Sequence, residues 1–217
     1  MMYKKKAFAL GLVLALVAIF AAACGGADKE KVISLGTTSS GSYTNDYFGV
    51  TIKFPSEWET QDMETMNQLS EAGAELIAGD DEEMKESLDL SQAKTLNLLM
   101  ASKYPMDSAQ PNPSIIVVGE KVSLLQGVKD GQDYLEASQE LMAQAGLPYD
   151  FKEIETKDIG GKKFHLMEAT ISEGDLSLSQ VYYSTIIDGY AFNMITTYVD
   201  EETKSQVEDI IDSVTFK

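Results

Sequence analysis

One nine-residue stretch constrains the fold more than any other: Tyr190-Ala191-Phe192-Asn193-Met194-Ile195-Thr196-Thr197-Tyr198. Its β-branched and aromatic content is that of a strand, yet polar residues do not alternate with apolar ones along it. A strand with one face in water keeps that alternation, and a strand covered on both faces loses it. Material must therefore lie above and below the sheet. Asp188-Gly189 just before it is hairpin-turn chemistry, so its neighbour in the sheet is antiparallel. These features predict an α+β fold, a three-layer α/β/α sandwich with a mostly antiparallel central sheet.

The rest of the chain supplies the layers. Val50, Ile52 and Phe54 alternate with Thr51 and Lys53, after the turn residues Asn45-Asp46, and Pro55 ends that strand. Residues 62–90 have helical spacing, with Met66, Leu69, Ala72, Leu76 and Ile77 on one stripe and Gly79 as a C-terminal cap. Strands are predicted over 96–103, 114–122, 152–159, 162–173 and 176–187. A helix carries Tyr134, Leu135, Ser138, Leu141, Met142 and Ala145 on one face, with Asp130 or Asp133 before it. The last helix starts at Asp200-Glu201-Glu202, and Val214-Thr215-Phe216 returns to the sheet.

Before this domain stand Lys4-Lys5-Lys6, the apolar run Ala7 to Ala23, and the sole cysteine, Cys24, followed by Gly25-Gly26. The pattern looks like a bacterial lipoprotein signal. It predicts a signal peptide over 1–23, cleavage between Ala23 and Cys24, and a diacylglycerol thioether on Cys24. Ala21 stands where leucine is commonest in such signals, so an uncleaved anchor and an ordinary secretory signal are the alternatives. All three export the remainder, to the extracytoplasmic side of the cell membrane. Two acyl chains make anchoring stable where one is marginal. Residues 24–42 read as the lipidated cysteine and a flexible tether, and 43–217 as one domain with a helical insertion at about 62–112.

Charge narrows the partners. Acids number 35 against 17 basic residues, all of them lysine, for a net charge of −18, and loss of Lys4, Lys5 and Lys6 makes the exported chain more negative still. A polyanion is repelled by such a field, and no guanidinium is present for bidentate recognition of phosphate or bases. Nucleic-acid binding is excluded on these grounds.

Little in the chain resembles catalytic machinery. His165 is the only histidine, set mid-strand between Phe164 and Leu166, and reads as structural. Ser91-Gln92-Ala93-Lys94 has the Ser-x-x-Lys spacing of penicillin-interacting serine enzymes without the companion motifs. Asp80-Asp81-Glu82-Glu83 suits a helix start better than a calcium site. No metal and no cofactor is expected, and the chain reads as a non-enzyme. The one candidate binding surface is an apolar groove of Tyr182, Tyr183, Tyr190, Phe192 and Tyr198 with Met63 and Met66, which exists only where the helical segment leaves the sheet open.

The opening Tyr47-Phe48-Gly49-Val50-Thr51-Ile52-Lys53-Phe54-Pro55-Ser56-Glu57-Trp58 is similar to that of the PsbP-like superfamily. So is the close, with Asp188-Gly189-Tyr190-Ala191-Phe192, Asp200-Glu201-Glu202-Thr203 and Ile210-Ile211-Asp212-Ser213-Val214-Thr215-Phe216. This superfamily includes photosystem lumenal proteins, the Mog-type Ran-binding proteins and bacterial lipoproteins of the DcrB and LpqN kind. The resemblance implies a non-enzymatic binding or assembly module, here with an envelope protein as partner. A solute-binding lipoprotein serving a transporter is the alternative.

Overall fold

Tyr190–Tyr198 is a strand buried at all nine positions. The computed structural model that shows this describes residues 33–217, apart from 109, 111, 123–126, 147 and 174–175. Its elements run β1 (Thr37–Ser39), β2 (Ser42–Asn45), β3 (Val50–Lys53), β4 (Glu59–Thr60), α1 (Met63–Ala78), α2 (Glu82–Gln92), β5 (Thr95–Ser102) and β6 (Ser114–Lys121). Then come α3 (Gly131–Gln144), β7 (Tyr149–Phe151), β8 (Glu155–Ile159), β9 (Lys162–Glu173), β10 (Leu176–Ile187), β11 (Tyr190–Tyr198), α4 (Glu201–Asp212) and β12 (Thr215–Phe216).

The large sheet has the order β4-β5-β6-β11-β10-β9-β7, and β8 also pairs with β9. Each pairing is antiparallel. Because side chains alternate across a strand, β11 sends Phe192 and Met194 to one face and Ala191 and Ile195 to the other. The first face packs Ile115, Val117, Phe164 and Phe192 against Tyr43, Val50 and Ile52 and against Val207, Ile210 and Ile211 of α4. The second packs Ile116, Val118, Met167 and Tyr182 against Met66 of α1 and Tyr134, Leu135 and Met142 of α3. Each fully buried large apolar side chain contributes about 1.5–3 kcal/mol of burial. Helices thus cover both faces, and the fold is the expected α+β sandwich.

Each of the four helices among the described residues opens on an aspartate. Asp62, Asp81, Asp130 and Asp200 each accept from backbone N–H groups of the first turn, which satisfies donors that have no intrahelical partner. At Asp200 the bond to Thr203 N is 2.8 Å and the threonine hydroxyl bonds back, closing a capping box. Those bonds hold the Asp62 and Asp200 carboxyls below their ordinary range.

Four expectations need correction. The opening strands and the closing one do not join the large sheet; they make a second sheet of order β1-β2-β3-β12, with Thr215 opposite Thr51. The tether does not run to residue 42, because Thr37–Ser39 pairs with Ser42–Thr44 and Ser34 and Leu35 accept bonds from Asn45 and Tyr43. The segment 62–112 is helical only as far as Gln92, since β5 within it is a full member of the large sheet. Finally, 152–159 is not one strand. β7 and β8 both pair with β9, and three residues, 152–154, stand opposite Met167 and Glu168, the count of a bulge. Among the described residues no helix is long and apolar enough to cross a membrane.

Candidate functional site

The residues expected to line a groove do not meet in one. Tyr183, Tyr190, Phe192 and Tyr198 pack in the core beneath the small sheet and α4. Tyr182 and Met66 pack on the opposite face under α1 and α3, and Met63 is half-buried at the start of α1. Period two in β10 and β11 forces that division. All but Met63 are buried, so they are core. Cys24 and Ala23 lie outside the described residues, as do the signal peptide and the first part of the tether.

What the sheet does bring together is polar. On the α3 face His165, Ser184, Asn193, Val118 and Asn97 stand in one cross-strand register. His165, Ser184, Asn193 and Asn97 are all buried. Gly131, the first residue of α3, sits on this row so closely that a Cβ there would lie 2.2 Å from Ser184 O and 3.1 Å from His165 Nδ1. Beside the row, Glu120 accepts from Ser91 Oγ at 2.9 Å and from Tyr134 Oη at 2.8 Å. One buried carboxylate therefore ties α2 and α3 to β6. Burial first, and the Glu120 charge second, push the Tyr134 hydroxyl well up.

Chemically this arrangement is closed. A serine and a histidine side by side would suit nucleophilic catalysis where the base engages the hydroxyl. Here Ser184 Oγ makes no hydrogen bond and is fully buried. Ser91 of the Ser-x-x-Lys match is buried too and spends its hydroxyl on Glu120. Asp81 caps α2, and among the described residues no group of three or more ligating side chains could hold a metal. Nothing in the sequence reading pointed to Glu120, Ser184 or Asn193. For Ser184 the available signal was its place four residues after Gln180, on the same face of a predicted strand.

A second polar set lies where β7 meets the sheet. Tyr149 and Tyr182 both donate to Gln180 Oε1, at 3.0 and 2.8 Å. Nearby on the other face, Glu168 accepts from Lys152 Nζ at 2.8 Å and Tyr198 Oη at 3.0 Å. Burial pushes the Glu168 carboxyl up, but these two bonds outweigh it and the group sits below its ordinary range.

The chain enters the fold at one end of the sandwich. Beyond the Thr37–Thr44 pair, Leu35 O accepts from Tyr43 Oη at 2.9 Å and Ser34 O from Asn45 Nδ2 at 2.8 Å. The Asn45–Phe48 turn is at the same end, where Tyr47 meets the Tyr190 ring at 5.9 Å. Lys121 lies opposite Tyr190 and bonds Lys94 O, Lys162 and Lys163 open β9 after the Gly160-Gly161 turn, and Lys217 bonds Gly49 O.

The chain is thus an α+β domain whose polar row of His165, Ser184 and Asn193 is packed inside it. No protein-family model matches the chain, and no curated protein matches it. Among solved structures it is similar to the PsbP protein (CyanoP) of Synechocystis, at 13% identity over 90% of this chain and 98% of that one, with a TM-score of 0.48. It is similar also to LpqN of Mycobacterium tuberculosis, a protein involved in cell envelope biogenesis, at 12% identity over 77% and 83%, TM-score 0.43. A Bacteroides thetaiotaomicron structure follows at 14% identity over 78% and 45%, TM-score 0.39.

Proposed function

We propose that this protein is an exported, lipid-anchored domain, not an enzyme, that binds a protein partner of the cell envelope or helps assemble an envelope complex. The observation that supports this reading best is the α1–α2 hairpin. Between Glu57 and Gln92 the sequence holds twelve acids and one lysine, Lys85. α1 meets the sheet through Met66 and Leu69, Ser91 of α2 bonds Glu120 of β6, and Ala74, Ile77, Ala78 and Leu88 form a small cluster against which Leu141, Ala145 and Tyr149 pack. A shallow hollow along α2 is lined by Glu82, Glu83, Lys85, Glu86 and Asp89. An element carrying so many acids is suited to recognition, through steering and selection of a cationic partner surface. The residues of the apolar groove, the one candidate binding surface in the sequence, are divided between two packed faces.

A crosslinked membrane pull-down tests this. The wild type should enrich one envelope protein, and a variant with Glu82, Glu83 and Glu86 changed to glutamine should recover it about ten-fold less, given the weight of charge in encounter. Equal recovery by both would sink the reading. Metabolic labelling with a fatty-acid analogue should tag the wild type and not Cys24→Ser; retained label would overturn lipidation.

A further inference from the structure

The end of the domain where the chain enters combines three things found together nowhere else among the described residues. Of three exposed large apolar side chains, Ile33, Leu35 and Leu90, two stand there in direct succession to the tether. Lys94, Lys121, Lys162, Lys163 and Lys217 gather at the same strand ends, against Asp46, Asp158 and Asp188, in a chain whose net charge is −18. Tyr47, half-buried, adds an aromatic ring with a polar tip, the type of side chain that settles at a membrane interface.

To these is added proximity to Cys24. Ile33 stands only nine peptide steps from Cys24 in the sequence. Nine residues reach at most about 30 Å when extended and on the order of 16 Å as a flexible coil. An anchored domain on so short a lead samples the headgroups continually, and at that effective concentration a weak attraction suffices. Apolar side chains beside lysines are what an anionic lipid surface holds.

We propose that this end of the domain, bearing Ile33, Leu35 and the five lysines, rests on an anionic lipid surface. The acidic α1–α2 hairpin, on the far side of the large sheet from the small one, is thereby left free for a partner. The inference depends on the lipidation of Cys24 proposed above, and the test separates the two. Trp58 is buried, at 6% exposure, and provides a constant background. Full-length lipidated Leu35→Trp and Thr60→Trp are placed on vesicles of phosphatidylethanolamine and phosphatidylglycerol with brominated acyl chains, Thr60 lying in β4 at the opposite end of the sheet. Leu35→Trp fluorescence should fall about two-fold more than that of Thr60→Trp, and the difference should shrink at about 0.5 M salt or on phosphatidylcholine alone.

Equal quenching at the two positions, with the protein still sedimenting with the vesicles, would overturn the proposal. So would crosslinking of position 35 to a protein in place of lipid. Should the chain prove unlipidated, coupling Cys24, the only cysteine, to a maleimide lipid restores the anchor, and the same comparison decides. Ile33→Trp repeats the measurement where Leu35→Trp perturbs folding, as judged by circular dichroism.

Discussion

Tyr134 of α3 donates its hydroxyl to Glu120 of β6 across 2.8 Å, with both side chains buried. The bond fastens the helix to the sheet at the polar end of its footprint. A hydrogen bond to a carboxylate contributes about 1.5–3 kcal/mol, and deletion leaves an acceptor short of a partner. Tyr134→Phe is therefore expected to lower the urea midpoint by the equivalent of about 2 kcal/mol with the slope unchanged. Ser91→Ala acts on the same carboxylate, so the double mutant should fall short of or exceed the sum of the singles; strict additivity would mean the two hydroxyls do not share Glu120.

Gly131 is held to glycine by contact, not by backbone conformation. A Cβ there would meet the Ser184 carbonyl at 2.2 Å, and backbone of a central strand cannot give way. Gly131→Ala should destabilise by about 3 kcal/mol, whereas Gln132→Ala one position on, at an exposed site, should stay within about 0.5 kcal/mol. Thermal unfolding of the two variants side by side checks this, and equal melting temperatures would refute the close packing.

The Glu168 carboxyl lies below its ordinary range because Lys152 and Tyr198 bond it against the upward push of burial. A carboxylate with a depressed folded value adds stability above its unfolded value, about 4.3, and loses it as pH falls through the folded one. Glu168→Gln should then cost about 1 kcal/mol at pH 7, and the gap to wild type should close towards pH 3. Urea midpoints at the two pH values decide, and a gap that persists in acid would exclude the ionic contribution.

Burial pushes the hydroxyls of Tyr43, Tyr149 and Tyr198 up to about 12, and raises Tyr134, Tyr182 and Tyr183 as well. A group raised on folding stabilises fully below its unfolded value, near 10, and that contribution disappears as pH rises through the folded value. Phenolate absorbance should consequently show a small step near pH 10 and a large cooperative one at about 12, accompanied by loss of secondary structure. In denaturant all ten tyrosines should titrate together near 10; a native curve of that shape would contradict their burial.

Much of this fold was legible where the determinant was local. The all-buried β11 follows from its missing alternation, and the Asp188-Gly189 hairpin from two residues that tolerate positive φ, here 50° and 79°. The second, third and last helices were marked by aspartates at their starts, at Asp81, Asp130 and Asp200. What escaped was non-local. Thr37-Thr38-Ser39 is polar and exposed, so nothing in it signals a strand until Ser42–Thr44 lies opposite. Whether Thr215–Phe216 joins one sheet or another depends on Thr51, far away in sequence. The groove failed for a related reason. Tyr182 and Tyr183 are neighbours in sequence, but the pleat sends them to different cores. The buried row of His165, Ser184 and Asn193 stayed hidden because it is set by the register of three strands, and no one of them shows which polar residues will stand opposite each other.

Strand β1 also decides how the domain bears a load. Any pull transmitted from a membrane anchor arrives at Ile33 and meets first the two bonds at Ser34 and Leu35, then the three β1–β2 pairs. Those pairs lie at a sheet edge and open one after another, like a zip, at low force. Peeling them lengthens the leash by several residues while Val50, Ile52 and the rest of the core stay in place. In a chain held through Cys24, the same short hairpin would be a mechanical fuse, yielding reach under tension before the fold itself is strained.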